Sequence, residues 1–376
     1  MKLLYLVNAL AIHGGLERII TDKVNWLAEH TSYEIHVWAF SQGKHPMSFA
    51  LHPRVVFTDL ALPYYEQYHY TGWRRTFYTI KNHFTMIREL KKRLAELSPD
   101  CIVCLKREHA PYIDKARGSV PFIYESHSIR RAGFYEHYDF KQRLKICYYE
   151  RYLRNALQIV ALTEGDASEW RKLSSRVTVI PNMVHLNASD TYSDHLSKKA
   201  IFVGRYGTQK DIGSLFQVWK MVNKRHPDWQ LHLYGGHGNQ NQKWQDQQGL
   251  EADGIFVHPP TSRIDEKYVE SSMLLLTSRY EPFGLVLPEA MSYGLPVVAF
   301  DAPYGPADII TDGVDGFLIK GRDIEAFADK VCLLIENTEL RRQMGQAAIR
   351  SSQRYHASVI MPGWTKFFDK LFLLSE

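Results

Sequence analysis

Short apolar runs alternate along the chain with longer segments whose apolar residues recur every three to four positions. That alternation reads as strands followed by helices. KLLYLVNAL opens the chain as a strand, and LERIITDKVNWLAEH follows as a helix. YEIHVWAF is a second strand, and WRRTFYTIKNHFTMIRELKKRLAEL a long helical segment. DCIVCLK, VPFIYES, ALQIVALT and VTVIPN are further strand candidates. At residues 185–199, HLNASDTYSDHLSKK, polar residues take over, which predicts a linker. The pattern then restarts: KAIFVGR as strand, DIGSLFQVWKMVNKRHP as helix, and WQLHLYG, GIFVH and SMLLLTS as strands. PEAMSYG follows as a helix, PVVAF and DGFLIK as strands, and residues 324–355 as mostly helix. Strands separated by helices predict α/β units with parallel sheets. The expectation is two α/β domains in tandem across a cleft, with ligands beyond the carboxyl ends of the strands.

Composition narrows the class. A chain of 376 residues exceeds one comfortable core, so two domains are expected. Hydrophobic residues at 45% and charged residues at 23% describe a globular chain rather than a disordered one. Four cysteines in this length argue against a disulfide scaffold and fit a reducing compartment. Cys101 and Cys104 form one C-x-x-C with no second ligand pair in sight, so they read as buried residues of a strand rather than a zinc site. The apolar start runs into HGGLERII without a cleavage site, and no run of eighteen apolar residues occurs, so neither a signal peptide nor a membrane span is expected. Charge is uneven. Residues 1–190 carry 26 Lys and Arg against 19 Asp and Glu; residues 191–376 carry 20 against 22.

Four stretches carry candidate chemistry. In EPFGLVLPE, residues 281–289, Pro288 suits a helix first turn and Gly294 its end. Glu281 then stands on a loop past a strand's carboxyl end and Glu289 just inside the next helix. Both can accept hydrogen bonds from a polyhydroxylated ligand, while Phe283, Gly284 and Leu285 offer backbone N–H groups to an anion. Glu289 can equally be a charge complementing the helix dipole. In VGRYGTQKD, Arg205 and Lys210 follow a strand end, where two fixed cations suit a diphosphate or are simply surface charges. Gly14 and Gly15 lie between the first strand and first helix, either as a phosphate-approach turn or as a plain tight turn. His127 lies just past the strand of FIYES, structural or catalytic by position.

Taken together and in this order, these segments resemble the retaining glycosyltransferases of family 4, which have the GT-B fold of two Rossmann-like domains. SRYEPFGLVLPEAMSYGLPVV is similar to the family's Glu-x7-Glu motif, and GGLER, VGRYGTQKD, YGGHGN and GPADIITDGVDGFLI resemble family segments. Pro282 stands where many members have glycine, and YGGHGN departs from the common Gly-Asp-Gly form. The resemblance implies that Glu281 contacts the donor sugar's hydroxyls and Glu289 the nucleotide ribose. It implies that Arg205 and Lys210 hold the diphosphate, with backbone at Gly14, Gly15, Gly284 and Leu285, and that His127 lies near the transferred sugar.

The expected activity is retaining transfer of a hexose-type sugar from a nucleotide sugar, UDP-sugar favoured, to a glycan or lipid-linked acceptor in cell-surface polysaccharide or lipopolysaccharide synthesis. Metal is expected to be dispensable and no cofactor is required, because fixed cations meet the leaving charge. Alternatives are a non-catalytic GT-B scaffold or a GT-B nucleotide-sugar epimerase. Residues 1–185 are expected to bind acceptor and 186–355 donor, with 356–376 returning as a helix to the first domain. The basic, aromatic-rich segments 71–98 and 130–154 either lie on an anionic bilayer or are solvated helix faces. The first reading makes the protein cytoplasmic and peripheral on the inner membrane face. Nucleic acid is not expected as a partner, for want of a recognition motif.

Overall fold

The first apolar run becomes β1 (Lys2–Val7), and every residue of its middle, Leu3 to Leu6, is fully buried. Alternate side chains of a strand point to opposite faces. Leu3, Tyr5 and Val7 pack with Ile20, Val24 and Leu27 of α1 (Gly15–His30). Leu4 and Leu6 pack on the other face with Met86, Leu90 and Leu94, which lie on the next long helix. Two covered faces explain why the run is continuously apolar. The computed structural model describes residues 1–11, 14–131, 138–187, 190–236 and 250–373.

After α1 come β2 (Glu34–Ala39), β3 (Val55–Asp59), α2 (Gly72–Leu97), β4 (Cys101–Cys104), α3 (Ala110–Ala116) and β5 (Phe122–Glu125). Then follow α4 (Phe140–Leu153), β6 (Gln158–Ala161), α5 (Glu164–Arg171) and β7 (Val177–Val179). These strands form one parallel sheet in the order β3-β2-β1-β4-β5-β6-β7. Cys101 and Cys104 are buried on β4, and burial pushes the Cys101 thiol up to about 12, so neither is poised as a thiolate.

The second half runs β8 (Lys199–Val203), α6 (Ile212–Arg225), β9 (Gln230–Tyr234), β10 (Ile255–His258), α7 (Ile264–Val269), β11 (Met273–Leu276) and α8 (Val286–Ser292). It continues with β12 (Val297–Phe300), α9 (Gly305–Ile309), β13 (Gly316–Ile319), α10 (Ile324–Glu336), α11 (Thr338–Ser352) and α12 (Ala357–Leu373). Its sheet is also parallel, in the order β10-β9-β8-β11-β12-β13. Strand order reverses between β1 and β4 in one sheet and between β8 and β11 in the other. Such switch points open a crevice beyond the carboxyl ends.

Three segments differ from the sequence reading. α8 begins at Val286, two residues ahead of Pro288, because Leu287 N–H and Glu289 N–H already donate to the carbonyls of Gly284 and Leu285. β3 is an element the sequence reading lacks; it is a five-residue edge strand in which only Val55 is buried. The polar stretch 185–199 docks on the second half instead of standing in water. Ser193 N–H donates to the Tyr293 carbonyl at 3.0 Å, His195 is buried, and Arg341 donates to the His195 carbonyl at 2.9 Å. Of that stretch, residues 188 and 189 lie outside the described residues, as do 12–13 before the glycine pair, 132–137 of the basic segment, and 237–249, which include the end of YGGHGN.

The last helix, α12, packs against α1 of the first half. Tyr33 meets Phe368 edge-on with ring centroids 6.4 Å apart, and its hydroxyl donates to the Asp369 carboxylate. Trp364 lies over the Lys23 ammonium. Apolar residues of α12, α1 and the second sheet form one continuous core.

Candidate active site

The loop after β11 delivers Glu281. Its backbone is fixed on both sides: its N–H donates to the Pro303 carbonyl at 2.7 Å, and its carbonyl accepts from Tyr304 and Gly305 at 2.9 and 3.0 Å. The side chain is sequestered, the residue being 4% exposed. One carboxylate oxygen, Oε1, accepts from Ser278 Oγ at 2.6 Å and from Lys210 Nζ at 2.5 Å. A buried charge needs such partners, since desolvation otherwise costs several kcal/mol. The two predicted residues 71 positions apart are therefore in direct contact.

Beneath them, Asp211 caps α6 and Arg322 joins the two loops. Asp211 accepts from Ser214 N–H and from Arg322 Nη2 at 2.6 Å. Arg322 also donates to the carbonyls of Ser278 and Thr277, at 2.8 and 3.1 Å, and stacks on Phe300. Asp211, Ser278 and Arg322 were not singled out from the sequence. A helix cap is legible at Asp211, but nothing local marks Arg322 as its partner.

Glu289 stands in α8 and receives the Tyr268 hydroxyl at 3.4 Å. Burial pushes its carboxyl up to about 7; the Tyr268 hydrogen bond and the cations Arg18 and Lys210 pull the other way, and Asp265 pushes up. Arg18 belongs to α1, so the two halves meet here. A Cβ on Gly15 would come within 3.0 Å of Leu285, which is why the turn before α1 carries glycine at its closest approach. Gly14 caps α1, its carbonyl accepting from Arg18 N–H at 3.0 Å. Gly284 takes a positive φ of 92°, the backbone state that turns the chain into α8. The Phe283 side chain is buried edge-on against Tyr355, so only its backbone is left to face a ligand.

Arg205 is exposed and His127 half-buried, and both line a cavity of about 1020 Å³. Lys106, Tyr112 and Tyr149 line it from the first half, and Gln209, Tyr280 and Pro282 from the second. His127 Nε2 lies 3.0 Å from Glu125 Oε1. The structure thus divides the predicted residues into two groups. Lys210, Glu281 and Glu289 gather at the second switch point, where Gly15 meets Leu285. Arg205 and His127 line the open cavity beside it, one from each half.

A carboxylate held by a cation, a second carboxylate that titrates near neutrality, and a large polar cavity between two parallel sheets suit a ligand with both hydroxyls and phosphate. Comparison with known proteins gives this arrangement a family. Residues 13–188 match the model of Glycosyltransferase Family 4, and residues 190–351 that of Glycosyl transferases group 1. The amylovoran biosynthesis glycosyltransferase AmsD of Erwinia amylovora is 32% identical over 57% of this chain, and the match spans 62% of that relative's length. An uncharacterized glycosyltransferase of Haemophilus influenzae is 26% identical over 96% of this chain and 98% of its own. In fold, the chain matches a crystal structure of S. aureus TarM in complex with Fondaparinux, alpha-GlcNAc-glycerol and UDP. The TM-score is 0.79 at 16% identity, over 98% of this chain and 99% of that one. With its two halves matched in turn, one by each model, the chain belongs to the group 1, family 4 glycosyltransferases of the GT-B fold.

Proposed function

We propose that the protein transfers a hexose-type sugar, with retention at the anomeric carbon, from a UDP-sugar to a glycan or lipid-linked acceptor in surface polysaccharide or lipopolysaccharide synthesis. The observation that carries this reading is the Lys210–Glu281 contact at the second switch point, with Arg205 and Glu289 nearby. Departure of the diphosphate leaves positive character on the sugar and negative charge on phosphate. Arg205 and Lys210 stabilise the latter, and removing one such group typically costs roughly 3–4 kcal/mol of barrier. Glu281 orders the sugar's hydroxyls and Glu289 those of the ribose. Glu281 is already bound by Ser278 and Lys210, which suits a positioning acceptor better than a nucleophile. The acceptor enters through the cavity that His127 lines. UDP in the TarM complex, amylovoran biosynthesis in the AmsD name and the lipopolysaccharide 1,6-galactosyltransferase of Salmonella typhimurium support these choices of donor and product. Incubation with a panel of UDP- and GDP-sugars, with NMR of the product's anomeric configuration, tests the reading. Transfer with inversion, or none from any nucleotide sugar, overturns it.

The membrane reading gains support from exposure. In the first half of α2, Trp73, Phe77, Ile80 and Phe84 recur at helical spacing and all face solvent, Trp73 at 75%. On α4, Phe140, Leu144 and Tyr148 do the same, Phe140 at 74%. Arg74, Arg75, Lys81, Lys141, Arg143 and Lys145 lie among them. Among the described residues no helix is long and apolar enough to cross a membrane. Apolar side chains set among cations suit the surface of an anionic bilayer, here placed at the cytoplasmic face. Flotation with anionic liposomes at low salt is the check, and absence of binding refutes it.

A further inference from the structure

Glycosyl transfer leaves two buried charges without a role. Lys23, on α1, and Glu125, at the end of β5, have side chains only 2% and 1% exposed. Lys23 Nζ contacts Glu125 Oε1 and sits 3.6 Å above the Trp364 ring of α12. The same Glu125 oxygen faces His127 Nε2 at 3.0 Å, off the line of a straight hydrogen bond. Glu125 Oε2 and the Tyr5 hydroxyl are buried with no hydrogen-bond partner among the described residues. Burial works to raise the Glu125 carboxyl, yet Lys23 and His127 hold it down to about 2, so it stays anionic. Stability does not account for such a pair. Apolar residues of similar volume in place of a buried ion pair are often neutral or stabilising. An incompletely satisfied pair two residues from a cavity-lining histidine therefore points to function.

We propose that the buried Lys23–Glu125 pair is a positioning device for His127. The Glu125 carboxylate holds the imidazole by Nε2 and keeps the proton there, which leaves Nδ1 as the acceptor toward substrate. Lys23 fixes the carboxylate, and Trp364 fixes Lys23. The last helix of the chain thereby sets the orientation of a side chain in the cleft. Neither Lys23 nor Glu125 lines the cavity. Both act through His127. The inference rests on the proposed place of His127 at the transferred sugar.

The test is the double substitution Lys23→Met with Glu125→Leu in the full chain, with UDP-sugar as donor. It should melt at or above the wild-type temperature and bind UDP with unchanged Kd. Its kcat should fall about 10- to 100-fold, with donor KM within about twofold, the scale seen when an orienting partner is lost. Adding His127→Ala to it should cost nothing more, because groups that act as one unit are non-additive. A folded double variant with wild-type kcat overturns the proposal. Where the double variant does not fold, Glu125→Gln decides, since it keeps the shape and removes the charge. Its kcat should fall at least about tenfold, and an undiminished kcat overturns the proposal. His127→Ala alone separates the layers. Wild-type turnover in that variant overturns the role of His127 itself, and the inference with it.

Discussion

Glu289 and Glu281 show how one residue type takes two characters from two environments. Glu289 is half-buried beside a tyrosine, and desolvation pushes its carboxyl up to about 7. Its proton competes with ribose hydroxyls for the same oxygens. Donor affinity should therefore fall as pH drops from about 8 to 6, and Glu289→Gln should flatten that dependence; calorimetry with a UDP-sugar, whose phosphates do not titrate there, is the check. The linkage to stability has the opposite sign. A folded pKa raised above the unfolded value favours the folded state at low pH and loses that contribution as pH rises through about 7. Glu281 instead shares one oxygen with Lys210 and Ser278. Lys210→Met strips a buried carboxylate of its cation and should destabilise by about 3 kcal/mol, at the low end for broken buried pairs. Thermal unfolding measures it. Glu281→Gln keeps the Ser278 contact and should cost less stability while removing transfer. The paired glutamates were legible as a spacing in one short stretch. Ser278 was not, because a serine three residues before a glutamate carries no signal until a loop folds them together.

At the scale of elements, long periodic helices were readable and most short ones were not; α8, at seven residues, is legible from Pro288 and Gly294 rather than from periodicity. α1, α2 and α6 announce themselves by apolar residues on one face. α3, α5, α7 and α9 are too short for that periodicity to build up. α2 has two characters: Asn82, Met86, Leu90 and Leu94 are buried, while the half from Gly72 onward projects into solvent. Phe77→Glu with Leu144→Glu should abolish liposome binding at little cost in stability, since both side chains are exposed; flotation and melting curves read the two effects. Arg322 binds two loops that lie 111 and 44 residues before it in the sequence. Arg322→Ala should release Asp211 and the Ser278 turn together, raising donor KM and lowering the melting temperature.

At the scale of the whole molecule, the site exists because two sheets present their switch points to each other. The leaving charge is assigned to Arg205 and Lys210, so transfer should be unchanged by EDTA; an EDTA-sensitive rate restored by a divalent cation would refute that assignment. Deletion from Ala357 onward removes Trp364 and Phe368 from a core shared with α1 and should lower the melting temperature by many degrees. The chain's own order of apolar runs determined the α/β class, the two-part organisation and the place of the glutamate loop, since periodicity and turn chemistry are local properties. Contacts between distant segments decided the rest. The Lys210–Glu281 pair, the Arg322 rivet, the docked linker and the Trp364–Lys23–Glu125–His127 line all join residues that no short window holds. Their partners are chosen by packing and by the need to satisfy charges taken out of water.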